Sequence, residues 1–321
     1  LAVPESPKWL QAKRRTAALS ELRALASRYN AKRQRWTRIG GDDDDSEEEE
    51  ELSDALILAK TELAAYFEGN LKDSVSNTTA TGTNTSFGTG YLGSALQGAA
   101  NGYAVADIST QIAKVNGSFT LSFWMYYPSN TTTDDNWVNI ITITNPANYQ
   151  SWNAPFCGNF NFLKYPGSDR SNGAASQFGY HVRSVSGTGN WWEGPENWFN
   201  NLWTASVYGN WVNWTFTYNA ATKTFNIYKN SAQWESEGWK DPGGSNTYPQ
   251  VQNSFSNLRF NDPPTKIIFG GNTDTGVTSD QTWGKSIRGY DGRLDEVRIY
   301  STALTQPQIQ AMIGLQGKGR L

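Results

Sequence analysis

Gly289-Tyr290-Asp291-Gly292-Arg293-Leu294-Asp295-Glu296-Val297-Arg298-Ile299-Tyr300-Ser301-Thr302-Ala303-Leu304-Thr305-Gln306-Pro307-Gln308-Ile309 reads as a turn, an alternating strand and a capped helix in direct succession. Leu294, Val297 and Ile299 are apolar positions among charged neighbours. The step of three between the first two breaks the period of two and predicts a β-bulge. Thr305 is the expected N-cap, Pro307 falls just inside the helix, and Ile309 and Met312 give it an apolar face. A strand running into a capped helix in this way closes a β-sandwich.

The composition fits a sandwich with long polar loops. The chain has 321 residues, 37% hydrophobic and 18% charged, with 14 Trp and 15 Tyr. That length accommodates one large β-domain and an appendage. Short strand-patterned runs between turn signals are expected at residues 118–127, 137–144, 179–184, 211–218, 224–229, 266–269 and 293–299. Cys157 is the only cysteine, which excludes an intrachain disulfide and a cysteine-type zinc site. Its expected role is that of a small buried hydrophobe. No apolar run reaches transmembrane length.

Charge divides the chain. Residues 1–40 carry ten Lys or Arg against two Glu, and residues 42–51 carry nine Asp or Glu. Residues 8–36 are expected to form a basic helix, free of interior Gly and Pro. Leu19, Leu22 and Tyr29 lie on one face, with Arg14, Arg15 and Arg35 around the rest. The acidic run, including Asp42, Asp43, Glu47 and Glu48, reads as a solvated linker or as the complement of a basic partner. These ten residues are the expected subunit-interface set, with the basic helix of a neighbouring copy as the partner. A second helix is expected over residues 53–65. The domain division is therefore a charged helical extension, 1–62, and an all-β, two-sheet antiparallel sandwich, 63–321, with a long insertion at 134–209.

Several segments of the sandwich resemble, in order, the waypoints of the laminin-G-like, concanavalin A-like jelly-roll family. Residues 64–74 (AAYFEGNLKDS) are similar to its opening strand and G-N-L-x-D turn. Residues 90–97 (GYLGSALQ) are similar to its G-x-x-G-x-A-L segment, and residues 118–125 (SFTLSFWM) to its F-T-x-S-F-W strand. Residues 211–218 (WVNWTFTY) and 225–231 (FNIYKNS) are similar to its central hairpin. The resemblance covers residues 63–315 and implies a domain that binds or builds, with calcium as the cofactor of the family. Calcium takes several oxygen ligands on a rim. Asp134, Asp135 and Asn136 are the candidate set, and Asn272, Asp274 and Asp280 a second.

The chemistry of catalysis is sparse. Glycosidases of this sandwich class place two Glu around an Asp on one strand, two residues apart on a shared face. The closing strand has Asp295 but lacks both flanking Glu, and Asp295 and Glu296 are expected to be structural turn and rim groups on opposite faces. His181 is the only histidine, which removes His-rich metal sites and limits triads. Sugar recognition points instead to Trp191, Trp192, Trp198 and Trp203, with Glu193 and Asn197 as polar neighbours in a Gly- and Asn-rich loop. Flat rings stack on pyranose C–H surfaces, although such rings equally pack an insertion or an interface. Asn77, Asn84, Asn116 and Asn130 head turn-like glycosylation sequons, whereas the sequon at Asn213 lies in a strand.

The expectation for function is a non-enzymatic structural or adhesive subunit of an extracellular assembly: a filament, fibre or virion appendage that docks through its charged N-terminus. The alternative is a carbohydrate-binding lectin module using the tryptophan loop. A glycoside hydrolase is the third reading. Neither nucleic acid nor membrane is an expected partner, because the acidic run competes with the basic helix and the apolar face lacks bulky anchors.

Overall fold

The computed structural model describes residues 61–65, 67–112, 118–128, 137–144, 160–164, 178–182, 196–199, 207–222, 224–233, 265–271 and 287–317. The expected basic helix, the acidic run and every residue of the subunit-interface set lie outside them. The second helix was expected to reach residue 65, but Thr61–Ala65 is strand β1, buried throughout. Its residues pair with a strand more than two hundred positions away, and that pairing overrides the helical propensity of Leu and Ala.

The strands after β1 are β2 (Thr81–Thr83), β3 (Ser86–Thr89), β4 (Ser94–Gln97), β5 (Tyr103–Asp107), β6 (Phe119–Tyr126), β7 (Trp137–Thr144) and β8 (Phe160–Lys164). They continue with β9 (Phe178–Val182), β10 (Glu196–Phe199), β11 (Trp211–Asn219), β12 (Thr224–Lys229), β13 (Ala232–Gln233), β14 (Lys266–Phe269), β15 (Ile287–Arg288) and β16 (Arg293–Tyr300). Two helices lie among the described residues, α1 (Ser109–Ile112) and α2 (Gln306–Gly317). Sheet one has the order β13-β12-β11-β6-β16-β4-β3, with β1 also on β16. Sheet two has the order β10-β9-β8-β7-β14-β5-β2, with β15 parallel to β7 and the other pairs antiparallel.

Alternation along the strands builds the core between the sheets. Leu121, Phe123, Met125, Val212, Trp214 and Phe216 come from sheet one, and Val138, Ile141, Phe160 and Phe162 from sheet two. At its centre Phe123, Phe160, Phe162, Trp214 and Phe216 touch with ring centroids 5.1 to 5.6 Å apart. Several contacts are edge-on, as ring quadrupoles favour.

The closing segment folds as its pattern dictates. The register of β16 against β6 shifts between Asp295 and Arg298, and Glu296 sits there at φ 50°, the conformation of a bulge residue. One edge of β16 is taken by β6. The other is shared, with β4 opposite Arg293 and Leu294 and β1 opposite residues 297–300. Past the strand, Gln308 Oε1 accepts from the Thr305 backbone N–H at 2.9 Å and lies 3.1 Å from Thr305 Oγ1, the back-bond of a capping box. Helix α2 then buries Ile309, Met312 and Leu315 against Tyr228, Tyr300 and Leu304 on the outer face of sheet one. Its last turn is tied down by Trp124, whose Nε1 donates to Gln316 Oε1 at 3.0 Å.

Candidate functional site

The carboxylates of the closing strand are buried, not at a rim. Asp295 is 0% and Glu296 2% exposed. Asp295 stands opposite Trp124, whose ring bonds helix α2, on the outer face of sheet one. Asp295 Oδ1 accepts from the Glu296 backbone N–H at 2.8 Å, and Oδ2 from that of Leu92 at 3.0 Å. Glycine at position 90 makes room, since a Cβ there would stand 2.6 Å from Asp295 Oδ2. Burial pushes the Asp295 carboxyl up to about 8, the Leu92 N–H pulls against that rise, and the charge of Glu296 adds to it. Glu296 is met by Arg298, Nη2 to Oε2 at 2.5 Å, and both are shut off from water. Tyr91, stacked on Trp124 at 3.5 Å, closes the cluster, and burial followed by the charge of Glu296 pushes its phenol up. The pair is held by the fold and does not open onto a substrate surface.

The expected sugar-binding residues are only partly placed. Asn197 and Trp198 lie on β10, the edge strand of sheet two, opposite Tyr180 and Gly179. Trp191, Trp192, Glu193 and Trp203 lie outside the described residues, as do Asp134, Asp135 and Asn136, the second calcium set and Cys157. Among the described residues no three His, Cys, Asp or Glu side chains gather as a metal site. Of the sequons, Asn77 is exposed at φ 62°. The Asn84 side chain donates to Asn101 O at 3.3 Å. Asn116 and Asn130 lie outside the described residues. Asn213 is 0% exposed and donates to Ser122 Oγ at 3.1 Å, so its amide is closed to modification.

Sheet two carries a polar row on its outer face. Asn161 alternates with the core residues Phe160 and Phe162 and stands opposite Thr142. Asn139 Nδ2 and Oδ1, Thr142 Oγ1, Thr144 Oγ1 and Asn161 Nδ2 and Oδ1 are buried without a hydrogen-bond partner among the described residues.

A surface missed by the sequence reading lies where α2 leaves sheet one uncovered. Trp211, Tyr126, Arg293, Gln97 and Ser86 face one another in register across β11, β6, β16, β4 and β3. The first four are partly exposed and Ser86 is exposed. The Tyr126 and Trp211 rings lie 5.7 Å apart, tilted by 48°. The Arg293 guanidinium sits 4.1 Å from the Tyr126 ring centroid and 5.7 Å from that of Trp211. Gln97 Nε2 is anchored by the carbonyls of Gly98, Asp291 and Gly292 at 2.9 to 3.1 Å, which fixes the orientation of its amide and leaves Oε1 as an acceptor. The signal lay in the first residue of β11, the last of β6 and the first of β16, but it appears only once the non-local register is known.

No family model matches the chain, and no curated protein sequence does. Solved structures share its fold. The botulinum neurotoxin serotype D binding domain superposes with a TM-score of 0.53 at 13% identity, over 82% of this chain and 53% of that one. The binding domain of Paraclostridial Mosquitocidal Protein 1 gives 0.51 at 15% identity, over 79% and 51%. The botulinum neurotoxin serotype D ligand-binding domain in complex with N-acetylneuraminic acid gives 0.50 at 13%, over 84% and 53%. The chain spans about half the length of the structures it matches. The architecture is thus a two-sheet, mostly antiparallel β-sandwich similar in fold to these toxin binding domains.

Proposed function

We propose that this chain is a non-catalytic, glycan-binding sandwich of an extracellular protein, with the row from Trp211 to Ser86 as its binding ledge. The observation that carries the reading is the in-register juxtaposition of Trp211, Arg293 and Gln97 on a partly exposed sheet face. A sugar presents an apolar C–H face and a set of hydroxyls that both donate and accept. The ledge offers a flat ring for the first, and a fixed donor and a fixed acceptor for the second. All three stand on strands, so they are preorganised and little side-chain freedom is lost on binding. Similarity to a toxin domain crystallised with N-acetylneuraminic acid supports a saccharide as the ligand class. The laminin-G-like resemblance supports an adhesive role. The absence of catalysis rests on the locked state of Asp295 and Glu296.

The test is a glycan array probed with the purified chain, with and without calcium, and repeated with Trp211→Ala and Trp198→Ala. The reading expects binding that Trp211→Ala abolishes and Trp198→Ala leaves in place. A wild-type chain that binds no glycan under either condition refutes it. Loss with Trp198→Ala alone moves the site to the edge of sheet two and refutes the ledge.

A further inference from the structure

The segment from β15 to β16 carries three arginines in three different states. Arg288 pairs with Asp291 at 3.5 Å, and Arg298 pairs with Glu296 at 2.5 Å. Arg293 has no carboxylate partner among the described residues, yet it is held in place. Its Nη1 donates to Thr89 O at 2.6 Å, its guanidinium lies over the Tyr126 ring at 4.1 Å, and its stem crosses Gly88. A Cβ at that glycine would come within 3.3 Å of Arg293 Cδ, so the path across β3 is tight enough to constrain the arm. The remaining N–H groups of the fork make no hydrogen bond to described residues.

A positive charge fixed over aromatic faces, with donors in hand and no carboxylate partner among the described residues, is a prepared oxyanion site. A guanidinium is weakly hydrated and matches a carboxylate or sulfate with two parallel N–H···O bonds. Contact with Tyr126 supports its charge while excluding water from one side. Gln97 Oε1, one strand away on the side of Arg293 opposite Tyr126 and Trp211, accepts from a hydroxyl of the adjoining sugar unit.

Building on the glycan-binding reading above, we infer that the ledge selects saccharides that carry an oxyanion, a carboxylate or a sulfate, and that Arg293 is the residue that sets this preference. The acidic group docks on the guanidinium and the sugar ring lies toward Trp211.

The experiment is isothermal titration with matched oligosaccharides: a glucuronate-containing probe, its carboxyl-reduced neutral counterpart and a sulfated counterpart. Wild type, Arg293→Gln, Arg293→Lys and Gly88→Ala are compared, with near-UV circular dichroism as the control for folding. At least one acidic probe is expected to bind wild type roughly ten- to hundred-fold tighter than the neutral one, the value of a charge-assisted hydrogen bond. Arg293→Gln removes that advantage: the ratio of acidic to neutral affinity falls to about one, whatever affinity the neutral probe itself loses with the guanidinium. Arg293→Lys, which keeps the charge but loses the fork, and Gly88→Ala, which displaces the stem, each reduce it. Carboxylate and sulfate arms identify which anion the ligand carries. Equal affinity for acidic and neutral probes overturns the inference and leaves the glycan reading standing. An acidic preference that survives Arg293→Gln overturns it as well. Binding of none of the probes, together with a blank array, overturns both.

Discussion

Asp295→Asn should remove most of one pH dependence from the stability of this domain. In the folded chain the Asp295 carboxyl titrates at about 8, against 3.8 for the ordinary group. The folded state therefore keeps the proton through neutral pH, while the unfolded state releases it near pH 4. The stability tied to this group is complete below pH 4. It declines as pH rises, by about 1.4 kcal/mol per unit, until it is lost near pH 8. Summed over that window the change is on the order of 5 kcal/mol, a large share of the about 5–15 kcal/mol that holds a typical domain together. Urea unfolding followed by tryptophan fluorescence at pH 5, 6, 7 and 8 reads it directly. Asparagine keeps the size and one acceptor but cannot titrate, so the difference between wild type and variant isolates the slope whatever its absolute offset. Wild type should lose several kcal/mol relative to the variant between pH 5 and 8. Parallel curves for the two chains would mean that Asp295 is charged at neutral pH, and the reasoning from burial would fail.

Two further outcomes follow from buried polar groups. Arg298→Met should destabilise by about 3–5 kcal/mol, because it leaves Glu296 buried without its cation, and Glu296→Gln combined with Arg298→Met should recover most of that loss in urea unfolding. Thr142→Val should stabilise by about 1 kcal/mol, since its hydroxyl has no partner among the described residues, whereas Thr215→Val should cost about 1 kcal/mol. The second hydroxyl bonds Asn213 Oδ1 at 2.8 Å and Ser122 Oγ at 3.0 Å, so the opposite signs in thermal denaturation check the contrast.

What the sequence made legible was local. The strand expectations at 137–144, 224–229 and 266–269 coincide with β7, β12 and β14, because alternation and flanking turns decide such runs. The bulge and the N-cap of the closing segment were legible for the same reason, whereas the back-bond from Gln308 was not foreseen. Tyr103–Asp107 and Phe160–Lys164 went unpredicted, the first carrying two Ala and the second flanked by weak turn signals. The local pattern of Thr61–Ala65 pointed to a helix because its β character comes from pairing with β16, whereas the family resemblance already placed Ala64 and Ala65 in an opening strand. Asp295 and Glu296 were expected at a rim because no sequence pattern announces that a helix will be laid across them. The ledge was hidden by distance, since Trp211, Tyr126, Arg293 and Gln97 come from four strands spread over about two hundred residues and meet only in the sheet.

The position of β16 also fixes the order in which the protein can be made. The last strand among the described residues runs through the interior of sheet one, between β6 on one side and β4 and β1 on the other. Ser301 reaches back 239 residues to bond Glu62. Until the ribosome has released that strand, β1 and β4 have no partner for those edges, and the nascent sandwich holds an open slot lined with unpaired backbone. Closing it is a long-range step of the kind that slows folding and exposes chains to aggregation. A chain shortened before residue 293 loses the seam of the sheet rather than its margin.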